Sequence, residues 1–139
     1  MANALTITAV ARRTGLRTSA IRYYESVGLL PAADRVSGRR RYGPDILPRL
    51  ALIAAGRQMG FTLAEIGVLM YGFDPDTPAA ERWQALAARK LVEVEALIAR
   101  AESMKQLLGS ALRCQCLTLD ACARAFQART CRAEDQGRY

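Results

Sequence analysis

Residues 113–122 read RCQCLTLDAC, and three of the chain's four cysteines fall inside that stretch: Cys114, Cys116 and Cys122. Cys131 follows nine positions later. Thiols crowded in this way support three kinds of chemistry. They ligate thiophilic metal ions, and two suffice for a soft monovalent ion that prefers sulfur and few ligands. They hold iron–sulfur clusters, which ordinarily take four cysteines. They also oxidise reversibly to a disulfide, a reaction that Arg113 would assist by favouring thiolate. A tetrahedral zinc site needs a fourth ligand: Cys131, an acid such as Asp120, or water. The plainest alternative is structural. Cys122 is then a small apolar residue under Phe126, or the thiols merely fix their loop.

Other chemistry is excluded by what the chain lacks. It contains no histidine, which removes histidine general bases, Ser-His-Asp and Cys-His nucleophiles, and imidazole metal ligands. No Gly-rich phosphate loop follows a strand pattern. The chain therefore reads as a non-enzyme. It has no apolar run of about 18 residues to span a membrane, and MANALTITAVARR does not have the order of a signal peptide. We expect a cytoplasmic protein, where clustered cysteines serve more often as ligands or redox switches than as structural disulfides.

The thiols must be carried by what precedes them. From Pro78 to about Leu112 only Gly109 interrupts a helical pattern, with Thr77 suited to cap it and Pro78 to its first position. At ~1.5 Å per residue such a helix is roughly 50 Å long. Trp83, Ala87, Lys90, Val94, Leu97, Ala101, Met104, Leu108 and Ala111 recur in alternating steps of three and four. That is a coiled-coil seam with one polar break, at Lys90. Four short helices cannot cover it, so a homodimer is expected over a monomer whose helix folds back. Thr118 can cap a last short helix in which Leu119, Cys122, Ala123 and Phe126 share a face.

Charge points to the partner. Residues 1–60 hold ten arginines against Glu25, Asp34 and Asp45, while residues 61–139 balance ten bases with ten acids. All of the net +7 thus lies in the N-terminal part. Arginine matches phosphates and guanine edges with two prongs, although a solvated basic surface has the same composition. Residues 6–14 and 18–27 pattern as two short helices, stopped by Gly15 and Gly28, and resemble a helix-turn-helix. LLPAADRVSGRRRYGPD then reads as a loop or short hairpin with Arg39, Arg40 and Arg41 at its far side, as a DNA-binding wing needs. A helix over 45–59 follows, with Asp45 as its cap and Pro48 in the first turn. Thr62-Leu-Ala-Glu65 is a capping box that opens a helix to about Met70.

ITAVARRTGLRTSAIRYYESVGLLP, RVSGRRRYGPDILPRL and QMGFTLAEIG, in this order, resemble the MerR family of bacterial transcription regulators. The resemblance covers roughly residues 5–125. Its pattern runs closest to the SoxR-like and metal-responsive branches, through YESVGLL, the wing, Trp83 and CQCLTLDAC. It implies a mainly α protein in three parts. These are a winged helix-turn-helix DNA-binding domain over 1–74, a dimerisation helix over 75–112, antiparallel to its twin, and a cysteine-rich sensing loop, short helix and tail over 113–139. It implies a homodimer that stays on a long-spacer promoter and distorts the duplex when its effector arrives, so that RNA polymerase responds through the DNA. Carried onto this chain, the DNA contacts are Arg17, Thr18, Arg22 and Tyr23 in the second helix, with Arg41 and Tyr42 in the wing. Tyr24 reads as core, and Tyr42 has the alternative of bracing the wing. Arg17 departs from the family, which often has a small capping residue there, so that helix starts less sharply or Arg17 binds phosphate.

The resemblance also weighs the effectors. The seven residues between Cys114 and Cys122 match copper-type relatives. Relatives that bind divalent ions carry a further cysteine near the start of the long helix, where this chain has Ala79 and Ala80. A thiophilic metal ion, with a monovalent copper-type ion preferred, is therefore expected at Cys114, Cys116 and Cys122, with Cys131 as a candidate addition. The SoxR-like branch holds an iron–sulfur cluster with C-x-x-C-x-C-x5-C; Ala111 stands at the first of those positions, which leaves a cluster or thiol oxidation as the alternative. An architectural DNA-binding protein without an inducer is the remaining class, and a coiled-coil adaptor without DNA is disfavoured by the segregated arginines.

Overall fold

The computed structural model describes residues 4–128, so Cys131 lies outside the described residues. Leu5–Thr6 form a two-residue strand β1 that runs straight into helix α1, Ile7–Thr14. The Thr6 hydroxyl accepts the Ala9 N–H at 3.1 Å and so satisfies one of the helix's free donors. Gly15 ends α1 at φ 73°, a left-handed conformation that glycine adopts without a Cβ clash. After a three-residue turn, helix α2 spans Thr18–Ser26. Val10 and Ile21 lock the two helices together with no exposed surface.

The wing is the hairpin alternative of the sequence reading. Strand β2, Asp34–Val36, and strand β3, Arg39–Tyr42, pair antiparallel with Val36 opposite Arg39. Ser37 and Gly38 form the tip with φ values of 52° and 76°. Positive φ at both central residues gives the turn whose twist matches the strands it joins. The sheet has a third member that the sequence did not suggest. β1 pairs with β3, placing Leu5 opposite Tyr42, so the order is β1-β3-β2. Two residues are too few to show a strand period.

Helix α3, Ile46–Gln58, buries Ile46, Leu50, Ile53 and Gly56. Asp45 does not cap it as expected. Asp45 lies in right-handed helical conformation without a capping bond, and its carboxylate pairs instead with Arg49 at 3.4 Å, one turn ahead. Helix α4, Leu63–Tyr71, opens with the expected capping box. The Thr62 hydroxyl accepts the Glu65 N–H at 3.2 Å, and the Glu65 carboxylate accepts the Thr62 N–H at 2.7 Å. Gly56 lets α3 and α4 meet: a Cβ there would stand 2.8 Å from Ile66 Cγ1.

Helix α5 runs for 34 residues, Ala79–Leu112, and helix α6 spans Leu119–Gln127 behind a Thr118 cap. The chain divides into two compact units, Met1–Lys90 and Leu91–Tyr139. This boundary falls inside α5, because the first turns of α5 belong to the N-terminal core. Leu86 is buried there, and Trp83 meets Phe61 with ring centroids 6.1 Å apart. Lys90, read as a polar break in a seam between chains, is also buried in this unit. Its ammonium pairs with Glu65 at 3.0 Å and lies 5.4 Å from the Phe61 ring centre. The unpartnered part of the seam therefore begins beyond Lys90. Leu97, Met104 and Leu108 are all more than half exposed.

Arg82 holds the turn between α4 and α5. Its Nε donates to the Thr77 carbonyl and its Nη atoms to the carbonyls of Leu69, Met70, Asp74 and Pro75, all within 3.3 Å. A planar guanidinium with five donors is suited to this task. It answers two carbonyls at the end of α4, where the helix has no partners of its own to offer.

Candidate functional site

The first candidate surface is built on α2 and the wing. Arg22 and Tyr23 stand on the solvent side of α2, with Tyr23 half exposed. Tyr24 turns the other way and packs against the core, as expected. Arg17 is exposed at the position before α2 and makes no side-chain cap, and the half-buried Thr18 is the helix's first residue. The Arg17 departure therefore leaves α2 without a side-chain cap and places a guanidinium at its start.

Arg22 lines an open cleft of about 360 Å³ together with Thr6, Thr8, Arg35, Arg39 and Arg40. Four guanidinium groups around one cleft draw anions, and arginine's fork suits phosphate oxygens. Arg41 does not line this cleft; it is half-buried in β3, between Thr6 and Asp34 in the sheet register.

Tyr42 is the expected contact that the structure moves inward. Only 3% of it is exposed, and its hydroxyl donates to Glu25 Oε2 at 3.0 Å. Burial pushes its pKa up to about 12, helped by the hydrogen bond to Glu25 and by that carboxylate's charge. Tyr42 thus braces the wing from within, the alternative that the sequence left open for it. The reason is period two: Arg40 and Tyr42 share one face of β3, and Glu25 reaches both.

Glu25 is the functional residue that the motif reading passed over. From α2 it accepts the Ala33 N–H at 2.8 Å and the Tyr42 hydroxyl, and it pairs with Arg40 at 3.6 Å. It ties the second helix to the wing. In the sequence it lies inside YESVGLL, and no other acid occurs among residues 1–33.

The second site lies in the other unit. Cys114 and Cys116 sit in the turn after α5, and Cys122 in the first turns of α6. The Thr118 cap starts α6, and the Cys122 N–H bonds back to the Thr118 carbonyl at 3.1 Å. The three Sγ atoms all lie within 4.8 Å of one another. The Cys116 N–H reaches Cys114 Sγ at 3.5 Å. That N–H, then the thiols of Cys116 and Cys122, pull the Cys114 pKa below its ordinary value. Arg113, expected to favour this thiolate, is not among the causes. Its guanidinium lies back along α5 beside Gly109.

The donor set fits a thiophilic ion. With metal–sulfur bonds of about 2.3 Å, a flat three-coordinate site spaces its sulfurs about 4.0 Å apart, so small side-chain rotations close this one. Cys122 is half-buried, and Phe126 is about half exposed. A four-cysteine cluster finds three ligands among the described residues, with Ala111 at the first position of its pattern. Asp120 does not join the group that a tetrahedral zinc site would require.

Known proteins share this architecture. The family model described as MerR HTH family regulatory protein matches residues 5–72, and that described as MerR, DNA binding matches residues 47–111. An HTH-type transcriptional activator SoxR homolog of Chromobacterium violaceum is 30% identical over 119 residues, covering 85% of this chain and 80% of the relative. The HTH-type transcriptional regulator CueR of Salmonella typhi is 36% identical over 112 residues, covering 79% and 81%. The crystal structure of the transcription regulator PbrR691 from Ralstonia metallidurans CH34, in complex with lead(II), superposes with a TM-score of 0.68. It is 27% identical, and the match covers 82% of this chain and 91% of that one. The two-helix unit, the arginine-lined wing and these matches together place the chain in the MerR family of DNA-binding transcription regulators, proteins that are not enzymes.

Proposed function

We propose that the protein binds promoter DNA as a homodimer and activates transcription by distorting the duplex when Cys114, Cys116 and Cys122 take up a thiophilic metal ion. The observation that carries this reading is the gathering of three sulfurs within 4.8 Å in a chain whose family regulates transcription. In this reading residues 1–74 hold the DNA, 75–112 dimerise and 113–139 sense. Arg17, Thr18, Arg22, Tyr23 and Arg41 meet the duplex, and the arginines of the cleft beside Arg22 meet its phosphates. The exposed leucines of α5 beyond Lys90 supply the apolar seam for an antiparallel twin. Among the described residues no helix is long and apolar enough to cross a membrane, and we place the protein in the cytoplasm with its DNA. RNA polymerase responds through the altered DNA. Such distortion costs a few kcal/mol, which a ligand with strong preference for one state can supply.

The lowered pKa of Cys114 favours a second reading, in which a disulfide replaces the ion as signal. One experiment addresses both. Transcription in vitro from the protein's own upstream region is followed with reduced, metal-loaded and oxidised protein. Cys114→Ser/Cys122→Ser should lose induction while keeping its DNA affinity within about twofold, since neither residue is near the arginine surface in sequence. Retained induction would move the sensor elsewhere. Induction by oxidant without metal would select the disulfide.

A further inference from the structure

The surroundings of the three thiols say what ion they suit. Cys114 and Cys116 are exposed and Cys122 is half-buried. The only formal charges among residues 106–128 are Arg113, Asp120 and Arg124, and there is no lysine. Building on the metal-responsive reading above, we infer that this loop binds a trivalent metalloid, arsenite or its antimony counterpart, through all three sulfurs of a single chain.

The argument is one of charge and ligand number. Three thiolates around a monovalent ion carry a charge of −2, and around a divalent ion −1. Around a trivalent ion they are neutral. Three sulfurs within 4.8 Å of one another repel as thiolates, and any net charge left on the site keeps part of that cost. A neutral complex escapes that penalty. Ligand number agrees. A soft monovalent ion satisfied by two sulfurs leaves Cys116 idle, and tetrahedral zinc lacks a fourth ligand in this group. A trivalent arsenic or antimony centre takes three sulfurs in a pyramid, its lone pair filling the remaining direction. The pyramid's three corners are all present in one loop, and no residue of another chain is required.

The reaction needs no electron donor or acceptor. Arsenite enters as the neutral trihydroxide. Three As–S bonds form and three As–O bonds break. Each thiol proton leaves with a hydroxide as water, and arsenic stays trivalent throughout.

The test titrates reduced full-length protein with arsenite, and separately with monovalent copper under anaerobic conditions. Near-ultraviolet sulfur–arsenic absorption, free-thiol counts and intact mass are read. The wild type should take up one arsenic per chain and lose three titratable thiols. Cys116→Ser and Cys116→Ala should each weaken arsenite binding by about a hundredfold or more, above the range lost when only an outer partner of a ligand is removed. Promoter affinity, measured in the same preparations, reports that the variants are folded. Arsenite binding that ignores Cys116, or that consumes two thiols, overturns the inference. If copper alone then drives transcription, the metal-responsive reading survives without it. If neither ion binds, both fall together.

Discussion

Tyr42 and Glu25 show how a single pair can decide what a surface offers. Tyr42 carries the chemistry of a DNA contact, a large ring with a polar tip, yet its tip is held by a carboxylate seventeen positions away in the chain. Removing that hydroxyl leaves the Glu25 carboxylate with the Ala33 N–H and Arg40. Tyr42→Phe is therefore expected to cost about 1.5–3 kcal/mol, the usual worth of a hydrogen bond to a charged group, measured by urea unfolding. The pH dependence has a definite sign. Because the folded pKa is raised from 10.0 to about 12, the neutral phenol stabilises the fold fully below pH 10, and that contribution is lost as pH rises toward 12. Wild type should thus lose stability between pH 10 and 12 more steeply than Tyr42→Phe. Parallel slopes would show that the phenol does not titrate against Glu25. Arg22 and Tyr23, by contrast, were legible as outward residues, since their neighbours Ile21 and Tyr24 take the inward positions of the same helix.

At the scale of elements, the helix starts read from the sequence at Thr6, Thr62 and Thr118 are found as caps, because a cap is a bond between residues three apart. Asp45 and Thr77 are the exceptions, also for local reasons: Arg49 competes for the Asp45 carboxylate, and α5 starts only at Ala79, with the Thr77 carbonyl held by Arg82. The turn between α4 and α5 was read only as a break. What orders it is Arg82, whose five carbonyl partners span residues 69–77. Lysine keeps the charge but lacks the fork. We expect Arg82→Lys to destabilise the N-terminal unit by about 2 kcal/mol, which thermal melting followed by circular dichroism would register as a fall of several degrees. An unchanged melting temperature would mean that solvent serves these carbonyls equally well. The same substitution leaves the arginines of the DNA surface untouched, so any loss of promoter affinity should follow the loss of folded protein.

For the whole molecule, the apolar residues of α5 separate into two sets. Trp83 and Leu86 serve the N-terminal core, while Leu91, Leu97, Ile98, Met104 and Leu108 stay more than half exposed. Exposed apolar area of this extent marks an association surface. Leu97→Glu/Leu108→Glu is expected to turn the dimer into single chains in sedimentation, with an intact N-terminal unit and a promoter affinity reduced by at least about tenfold. A dimer that survives the double change would place the interface elsewhere.

The sequence alone determined most of the residues that begin and end helices, where the positive charge lies, that a loop or short hairpin with an arginine-rich side follows two short helices, and which thiols lie close along the chain. These are matters of neighbours a few positions apart and of composition, and the chain carries them whatever its fold. Only the tertiary structure decided that β1 completes the wing's sheet, that Tyr42 points inward and that Lys90 belongs to Glu65 and Phe61. It also drew Cys122 to the sulfurs of Cys114 and Cys116. Each of these outcomes depends on a partner brought close by the packing of other elements, and a side chain with two feasible directions takes the one where its polar end finds that partner.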